Sequence, residues 1–383
     1  MANVYKKILL VTNDFGPRTG GIETFIIGLL ERIKGFDICV FTSNQGDTRS
    51  YDRDWQTNFG ITIIRDKSKI LLPSFRLNSA VKKLVRTQNF EVVIFGAAAP
   101  LGLMAKGLRK AGAKKILALT HGHEVWWAKV FPFNVAMKKI GSDVDHLTYL
   151  GEFTRSAISK ALKNENSKAM VKIAPGVNTE HFIPRPDAFE LRNSLGLNDK
   201  KIIISVGRLV HRKGQDKLIQ AMPTVIRKIP NAHLLLVGEG PYESRLKKIV
   251  EKLSLEQHVT FVGRVLYDKL PTYLSAANLF AMPSRSRLFG LEVEGLGIVY
   301  LEASACGIPV LAGNSGGAPD AVIEGVTGLC VNGTDVSAIA MGVIEILADA
   351  QRASRMGADG RNWIVDKWRW DLWSKEFNLL LSE

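Results

Sequence analysis

Two successive sets of short apolar runs, each alternating with helical patterns, constrain the fold of this sequence more than any other feature. The first set has seven runs and the second has six, and all are rich in valine, isoleucine and leucine. Runs that stay apolar along their length are typical of strands buried on both faces of a parallel sheet. The pattern therefore predicts an α/β chain with two parallel sheets. The runs are 7–13, 36–43, 60–66, 90–96, 114–122, 145–151 and 170–177, and then 200–209, 232–240, 258–265, 277–284, 308–313 and 327–331.

The two sets predict two Rossmann-like domains that face each other across a cleft. A chain of 383 residues is long enough to form two such cores. The segment 183–197 separates the sets, contains two prolines and no strand pattern, and is the best candidate for a linker. We assign residues 1–185 to the N-terminal domain and 186–364 to the C-terminal domain. Four tryptophans lie near the end of the chain, and we expect a final helix of about residues 365–383 to complete the N-terminal domain.

The composition and the N-terminal sequence indicate a cytoplasmic protein. The hydrophobic fraction of 46% and the charged fraction of 23% are ordinary for a globular chain. The longest nearly apolar run, 92–105, is too short to span a bilayer and contains Pro100. The basic pair near the N-terminus precedes only four apolar residues, so we interpret that run as a first strand and not as an export signal. Three widely spaced cysteines without a CxxC pattern point to a reducing compartment.

Positive charge is concentrated in the N-terminal half. The net charge is +14 overall, with 28 Lys and Arg against 17 Asp and Glu in residues 1–190 and 23 against 20 in residues 191–383. Residues 65–139 contain 15 basic residues and only three acidic ones. Such a cluster favours an anionic partner, which could be nucleic acid, acidic lipid or a phosphorylated substrate. The alternative is a basic surface that keeps the protein soluble and has no anionic partner.

A predicted helix at 76–90 makes acidic lipid the favoured partner. One helical face is apolar and the opposite face is basic. Anionic membranes attract each nearby basic residue by about 1 kcal/mol, so we expect reversible membrane contact through this helix. A helix that covers the sheet and has a basic solvent side is the alternative. The apolar residues are Leu77, Ala80, Val81, Leu84 and Val85, and the basic residues are Lys82, Lys83 and Arg86.

A glycine-rich loop follows the first strand. Gly16, Gly20 and Gly21 precede a helix, whose free N–H groups can face an anion. The spacing is not GxGxxG, no acid ends the second strand, and no Gly-Lys-Ser/Thr follows. These absences argue against a dinucleotide oxidoreductase and against a P-loop kinase. A tight turn would account for one glycine but less well for the adjacent pair, so we predict contact with an anion or substrate.

Cations follow the first strand of the second set. Arg208, Arg212 and Lys213 lie just after that strand, and Arg208 and Lys213 are five positions apart. Guanidinium and ammonium groups near a helix start suit a diphosphate.

His121 and an Asp-x-Asp pattern are weaker candidates. A lone histidine is more often structural, but His121 follows a strand directly and has Gly122, His123 and Glu124 beside it, which makes a core role less favourable. Asp143 and the aspartate two positions later precede a strand with no other ligand nearby in sequence. We interpret that pattern as a surface turn and expect no metal site.

Two glutamates, Glu294 and Glu302, stand eight positions apart with a glycine-rich turn between them. Alone, this spacing also fits an ordinary helix with acids near its N-terminal end. The accompanying segments are specific as a set. They are EASACGIPV, which begins at the second glutamate, GNSGGAPDAVIEGVTG after it, and, earlier in the chain, VGRL, RKG, VGEGP at 237–241, FVGRV and the N-terminal GG. Together they resemble the retaining glycosyltransferases of family 4, which have the GT-B fold. The resemblance covers essentially the whole chain.

The resemblance implies a role for each candidate. Glu294 would bind hydroxyls of the transferred sugar and Glu302 those of the nucleotide ribose, since carboxylate oxygens accept from vicinal hydroxyls. Arg208 and Lys213 would neutralise the diphosphate. His121 would contact the sugar or its phosphate, although His123 is not excluded. Gly20 and Gly21 would lie beside the diphosphate and acceptor in the N-terminal, acceptor-binding domain. The other residues expected to bind the nucleotide sugar are Val265, Gly295, Leu296, Gly297 and Ile298.

Within that family the chain resembles actinobacterial GDP-mannose-dependent phosphatidylinositol mannoside mannosyltransferases, because of the long stretch PSRSRLFGLEVEGLGIVYLEA. This implies retaining transfer of mannose from GDP-mannose to an anionic glycolipid at the inner membrane leaflet, with no cofactor and no nucleic-acid partner. The family's favoured mechanism is same-face attack, in which the leaving phosphate accepts the acceptor's proton.

Alternatives to this activity stay open, because spacing alone does not distinguish guanine from uracil. One alternative is transfer to another glycolipid or to a cytoplasmic small molecule, with a UDP-sugar as a further option. Another is a non-catalytic protein that binds nucleic acid, which would give no reason for the glutamate pair.

Overall fold

Each predicted set of apolar runs forms one parallel sheet in the computed structural model. All thirteen predicted strands are present. The structure describes residues 6–18 and 20–383. The chain divides into two units, the first of residues up to Gly176 together with Trp370–Glu383, and the second of Val177–Arg369. The strands are β1 (Lys6–Thr12), β2 (Phe36–Thr42), β3 (Thr62–Arg65), β4 (Val92–Phe95), β5 (Lys115–Ala118), β6 (His146–Tyr149), β7 (Met170–Lys172), β8 (Lys201–Val206), β9 (Ala232–Val237), β10 (Val259–Gly263), β11 (Leu279–Met282), β12 (Val310–Gly313) and β13 (Gly328–Val331).

Helices connect most successive strands in both units, as parallel pairing requires, whereas a 3₁₀ turn at Ala318–Ala321 lies between β12 and β13. None of these helices, within the described residues, is both long and apolar enough to cross a bilayer. They are α1 (Gly21–Leu30), α2 (Arg49–Phe59), α3 (Phe75–Gln88), α4 (Ala105–Arg109), α5 (Glu124–Lys129), α6 (Phe133–Asp143), α7 (Glu152–Ser159), α8 (Asn164–Lys168), α9 (Ala188–Ser194), α10 (Gln215–Lys228), α11 (Glu243–Lys252), α12 (Leu270–Ser275), α13 (Ile298–Ala305), α14 (Val336–Ala348), α15 (Ala350–Lys367) and α16 (Trp370–Ser382).

The sheet of the first unit has the strand order β3-β2-β1-β4-β5-β6-β7, and that of the second unit has the order β10-β9-β8-β11-β12-β13. In each sheet the order reverses direction once, between β1 and β4 and between β8 and β11. Consecutive residues such as Leu9, Leu10 and Val11 are all buried, because both faces of the sheet are covered. In open parallel sheets, ligands bind beyond the carboxyl ends of the strands at this reversal. The fold therefore marks one candidate position in each unit.

The last helix, α16, belongs to the first unit. Trp370 stacks on Phe25 with ring centroids 6.2 Å apart, and the Arg32 guanidinium lies 5.0 Å from the Trp370 ring centre. A Cβ atom at Gly176 would come within 2.4 Å of the Trp370 Cα, so only glycine permits this approach. The helix begins at Trp370 and not near 365, because α15 continues to Lys367 within the second unit.

The segment proposed as a linker is not a free connection. It contains α9, and its side chains bind the second unit: Arg192 donates from Nε to the Ala276 carbonyl at 2.8 Å and from Nη2 to Asn278 at 2.7 Å. The Arg185 amide donates to Ser275 Oγ at 3.0 Å. The units therefore separate at Val177 and not at residue 186.

Candidate active site

The loops that follow β8 and β11 meet in the second unit, because these strands are neighbours at the reversal of strand order. The loop after β8 contains a short 3₁₀ turn at His211–Lys213, which ends at Gly214 with a φ of 77°. The loop after β11 contains Glu294 and leads into α13. Two cations from the first loop reach one carboxylate from the second.

The Glu294 carboxylate lies between two cations. Its Oε2 is 2.7 Å from Arg212 Nη1 and 2.8 Å from Lys213 Nζ, and Glu294 and Lys213 are both buried. Burial alone would raise the pKa of this carboxyl, but the charges of Lys213 and Arg212 outweigh it and hold the pKa below its usual value. Glu294 is therefore an ionised acceptor of hydrogen bonds, in direct contact with groups that suit a diphosphate.

This arrangement differs from the predicted cation pair. Arg208 is exposed, and its side chain has no hydrogen bond or ion pair within the described residues. Arg212 takes the place beside Lys213, because the 3₁₀ turn brings both residues to Glu294. The sequence offered one signal for this turn, the glycine directly after the basic pair. The roles predicted for Arg208 and Lys213 stay predictions.

A buried ion pair that the sequence analysis missed supports the cation loop. Arg285 Nη2 lies 2.8 Å from Asp216 Oδ2, and both residues are buried. The Arg285 amide donates to the Arg212 carbonyl at 2.8 Å, and Arg285 Nε lies 3.4 Å from His211 Nδ1. Arg285 thus connects the loop after β11 to the turn that holds both cations. Its partner is 69 positions away, and no local pattern signals such a pair.

The start of α13 places Glu302 near the same loop. Gly297 precedes the helix with a φ of 78°, where a Cβ atom would lie 2.4 Å from the Tyr300 ring. Glu302 lies in the second turn and is half-buried, and no hydrogen bond or ion pair to its carboxylate occurs among the residues that the structure describes. Burial raises the pKa of this carboxyl to about 7. Glu302 is a half-buried carboxyl with spare acceptor capacity.

The remaining predicted nucleotide-sugar residues lie in the second unit. Val265 follows the carboxyl end of β10 and is half-buried. Gly295, Leu296 and Ile298 lie between Glu294 and the first turn of α13, and Leu296 is buried. A Cβ atom at Gly317 would lie 2.1 Å from the Gly295 carbonyl, so backbone packs directly on this loop.

A small hairpin precedes Glu294. Arg287 and Glu292 pair through their backbones, with N–O distances of 2.9 and 3.2 Å, and through an ion pair at 3.1 Å. The tip carries Leu288 and Phe289, both exposed, with φ values of 50° and 55°. This left-handed conformation costs an ordinary residue about 1–2 kcal/mol and costs glycine almost nothing. Glu292 Oε1 also lies 3.9 Å from Arg212 Nε, so the base of the hairpin lies beside the cations.

In the first unit, His121 is held in one orientation. It is buried, its Nε2 lies 2.5 Å from the Gly96 carbonyl, and its ring packs edge-on against Phe25. Because a carbonyl only accepts, Nε2 carries the proton. Burial lowers the pKa of the ring, so it is neutral near pH 7 and Nδ1 is an acceptor. The His121 amide donates to Glu124 at 2.9 Å, and His123 Nε2 lies 3.2 Å from the same carboxylate.

The glycine pair lies at the start of α1, as the sequence predicted. Gly20 precedes the helix and Gly21 is its first residue. A Cβ atom at Gly20 would lie 2.4 Å from Glu23 Oε2, whose carboxylate is buried and paired with Arg18 at 2.7 Å. These residues and His121 lie in the first unit, whereas Glu294, Glu302 and the cations lie in the second.

The Asp-x-Asp pattern has a structural role. Asp145 accepts from Arg109 at 2.8 Å and from the Ile116 amide at 2.7 Å, which fixes the turn before β6. Within residues 6–18 and 20–383, no group of three or more His, Cys, Asp and Glu side chains lies together as metal ligands would.

Sequence comparison decides the family. The profile described as Glycosyl transferases group 1 matches residues 187–363. A GDP-mannose-dependent alpha-(1-6)-phosphatidylinositol monomannoside mannosyltransferase of Mycolicibacterium smegmatis is 43% identical over 365 residues, which is 95% of either chain. The chain belongs to the group 1 glycosyl transferases. A Corynebacterium glutamicum relative, named as a GDP-mannose-dependent monoacylated alpha-(1-6)-phosphatidylinositol monomannoside mannosyltransferase, is 41% identical over 99% of this chain and 98% of its own.

The fold of this group 1 glycosyl transferase agrees with solved structures. Anabaena Alr3699/HepE, crystallised with UDP, aligns with a TM-score of 0.82 over 98% of this chain and 99% of its own at 19% identity. Sucrose-phosphate synthase from Thermosynechococcus elongatus aligns with a TM-score of 0.78 over 98% of each chain at 25% identity. The predicted family and its two-domain α/β GT-B fold are confirmed.

Proposed function

We propose that this group 1 glycosyl transferase transfers mannose from GDP-mannose, with retention, to a phosphatidylinositol mannoside at the inner face of the cell membrane. The observation that carries the proposal is the identity of 41–43% over at least 95% of the chain to relatives whose names state this donor and this acceptor. Transfer to another glycolipid or to a soluble acceptor has no comparable support.

The geometry around Glu294 supports the chemistry. Arg212 and Lys213 supply two positive charges for the diphosphate as it leaves. Glu294 is ionised and accepts hydrogen bonds from sugar hydroxyls. Its pairing with two cations makes it a weak nucleophile, which fits direct same-face displacement better than a covalent glycosyl intermediate. The leaving phosphate then takes the acceptor's proton. The predicted contact between His121 and the sugar stays a prediction.

The donor is tested by a thermal-shift series with GDP, UDP and ADP, repeated in excess EDTA. We expect GDP to raise the melting temperature most, because a ligand stabilises the state that it binds. EDTA should not change this order, since arginine and lysine provide the cations. A larger shift with UDP would contradict the proposed donor, and loss of the GDP shift in EDTA would contradict metal-free binding.

The pH dependence of GDP binding tests the role proposed for Glu302. Burial raises the pKa of its carboxyl from 4.5 to about 7. Because the pKa is higher in the folded protein, this carboxyl favours folding at low pH. Its contribution to the free energy of unfolding is complete below pH 4.5 and is lost as pH rises through about 7. Ribose hydroxyls need the ionised form as acceptor, so GDP affinity should rise by about tenfold between pH 6 and pH 8.

Isothermal titration calorimetry of the parent and Glu302→Gln at each pH measures this effect. The ratio of their affinities removes the ionisation of the GDP phosphate, which both proteins share. We expect the variant to bind GDP more weakly and the ratio to grow with pH. A ratio that is constant across the range would show that Glu302 does not contact the ribose.

Membrane contact is supported by the surface of the first unit. The predicted face of α3 is buried through Leu77, Val81 and Val85, and Lys83 and Arg86 on the other side are exposed. An exposed segment that runs into the first turn of α3 combines apolar and basic side chains. It consists of Lys67, Lys69, Ile70, Leu72, Phe75 and Arg76, with Phe75 98% exposed. We name it the 67–76 segment. Apolar side chains with adjacent cations suit an anionic lipid surface.

Two matched variants separate charge from insertion. Lys67→Ser with Lys69→Ser and Lys83→Ser should weaken binding to anionic vesicles by roughly a hundredfold, at about 1 kcal/mol per residue, and added salt should reproduce the loss. Ile70→Ser with Leu72→Ser and Phe75→Ser should weaken binding to anionic and to zwitterionic vesicles. GDP affinity should stay unchanged in both. Vesicle sedimentation measures the binding, and parental binding by both variants would exclude this surface. A gel-shift assay would then test nucleic acid.

A further inference from the structure

The hairpin tip before Glu294 has side chains that local structure does not explain. Leu288 and Phe289 are exposed although they are apolar, and both have positive φ values, as does Gly290 at 80°. Glycine would relieve the backbone strain at both positions and would expose less apolar surface to water. Strained and exposed residues of this kind are typical of ligand contacts. The tip therefore needs a partner that binds apolar side chains.

The position of the tip limits what that partner can be. Glu292, at the base of the hairpin, lies 3.9 Å from Arg212, and Glu294 is five residues beyond Phe289. Five residues extend at most about 18 Å, so the tip lies within about that distance of Glu294, the residue proposed to bind the sugar. A molecule that reaches this site and also has a large apolar part is needed. A nucleotide sugar has a diphosphate, two sugars and a planar, polar base, but no aliphatic chain, whereas a lipid acceptor has long alkyl chains.

We propose that the Leu288–Phe289 tip binds the acyl chains of the lipid acceptor next to its headgroup and so selects acylated over deacylated acceptors. This inference rests on the proposed function, in which the acceptor is a phosphatidylinositol mannoside. The headgroup of that lipid must reach the sugar near Glu294 while its glycerol and acyl chains stay attached. An apolar hairpin tip beside Glu294 is placed to cover the first methylene groups, and their burial provides the affinity.

The test compares two acceptors with one double variant. Leu288→Gly with Phe289→Gly removes both apolar side chains and keeps residues that adopt positive φ readily. We expect kcat/KM for a diacylated phosphatidylinositol mannoside in mixed micelles to fall by roughly tenfold, which corresponds to about 1.4 kcal/mol. With the deacylated, water-soluble headgroup, kcat/KM should equal that of the parent. GDP affinity should be unchanged and the melting temperature unchanged or higher.

Three results would overturn the inference. Equal loss with both acceptors would show that the tip serves the fold or the chemistry, and no loss with either would show that it has no apolar partner. A fall in GDP affinity would place Phe289 against the nucleotide base. Phe289→Asn, which also tolerates a left-handed backbone, provides a second variant if the double glycine protein does not fold. Met341→Ala removes an exposed apolar side chain from α14 and serves as the control.

The inference can fail separately from the proposed function. If the parent transfers mannose to neither acceptor, the proposed function is wrong. Binding of the parent and of the double variant to micelles that contain the diacylated lipid then still measures the contact directly. Equal binding by the two proteins would exclude it.

Discussion

Glu294→Gln will slow mannosyl transfer by about tenfold to a hundredfold, because a hydrogen bond to a charged group contributes about 1.5–3 kcal/mol. GDP affinity will stay unchanged or increase. In the free protein the Glu294 carboxylate occupies Arg212 and Lys213, at 2.7 and 2.8 Å, and a diphosphate must compete with it. Glutamine keeps the size of the side chain but removes that competition. Turnover, measured by steady-state kinetics, should therefore fall while GDP affinity, measured by calorimetry, does not.

Glu243→Gln is the control for this change, since Glu243 is an acid of α11 that pairs with Lys247 at the surface, at 2.7 Å. It should leave both measurements unaltered. Parallel loss of turnover and GDP affinity in Glu294→Gln would show that the carboxylate organises the nucleotide site and does not bind the sugar. Glu302→Gln should show the reverse pattern, with GDP affinity lost first.

Arg285→Met will lower the free energy of unfolding of the second unit by about 3–5 kcal/mol, because it leaves Asp216 buried without its cation. Asp216 is 6% exposed and its remaining hydrogen bond, from the Tyr242 hydroxyl, is long at 3.4 Å. A change of this size lowers the melting temperature by roughly 10 °C in a unit of this length. GDP affinity should fall as well, since the Arg285 side chain also lies 3.4 Å from His211 Nδ1, in the turn that holds both cations.

Two matched variants test this explanation. Arg352→Met removes the same side chain from a surface pair with Glu345 at 2.8 Å, and should cost about 1 kcal/mol or less. Arg285→Met with Asp216→Leu removes both buried charges and should recover part of the lost stability. If the double variant is less stable than Arg285→Met alone, the loss comes from packing and not from an unpaired charge.

The strands and the family could be predicted from the sequence because their signals are local or lie in contiguous segments. Strands such as β1 and β8 are buried on both faces and appear as unbroken apolar runs. The glutamate pair and its glycines are contiguous and specific as a set. The structure of the segment 183–197 could not be predicted in this way, because α9 is held by contacts from Arg192 to residues more than 80 positions away.

The cation site was only partly predictable for a similar reason. Spacing alone made Arg208 and Lys213 a reasonable pair. The choice of Arg212 depends on a 3₁₀ turn, on a positive φ at Gly214, and on Glu294, which arrives from another strand. A Cβ atom at Gly214 would lie 1.9 Å from the Pro283 carbonyl, so this turn is shaped by tertiary contact. Long-range pairs of this kind have no period or motif in the sequence.

We propose transfer of mannose from GDP-mannose to a lipid-linked inositol mannoside as the reaction of this chain. It is tested by incubating the protein in EDTA with GDP-mannose labelled in the sugar and with phosphatidylinositol monomannoside in anionic vesicles. The lipid product is then isolated and the anomeric configuration of the new sugar is determined by NMR. We expect one added α-linked mannose and one GDP released for each product molecule. Release of GDP without labelled lipid, a β-linked product, or labelling only from a UDP-sugar would contradict it.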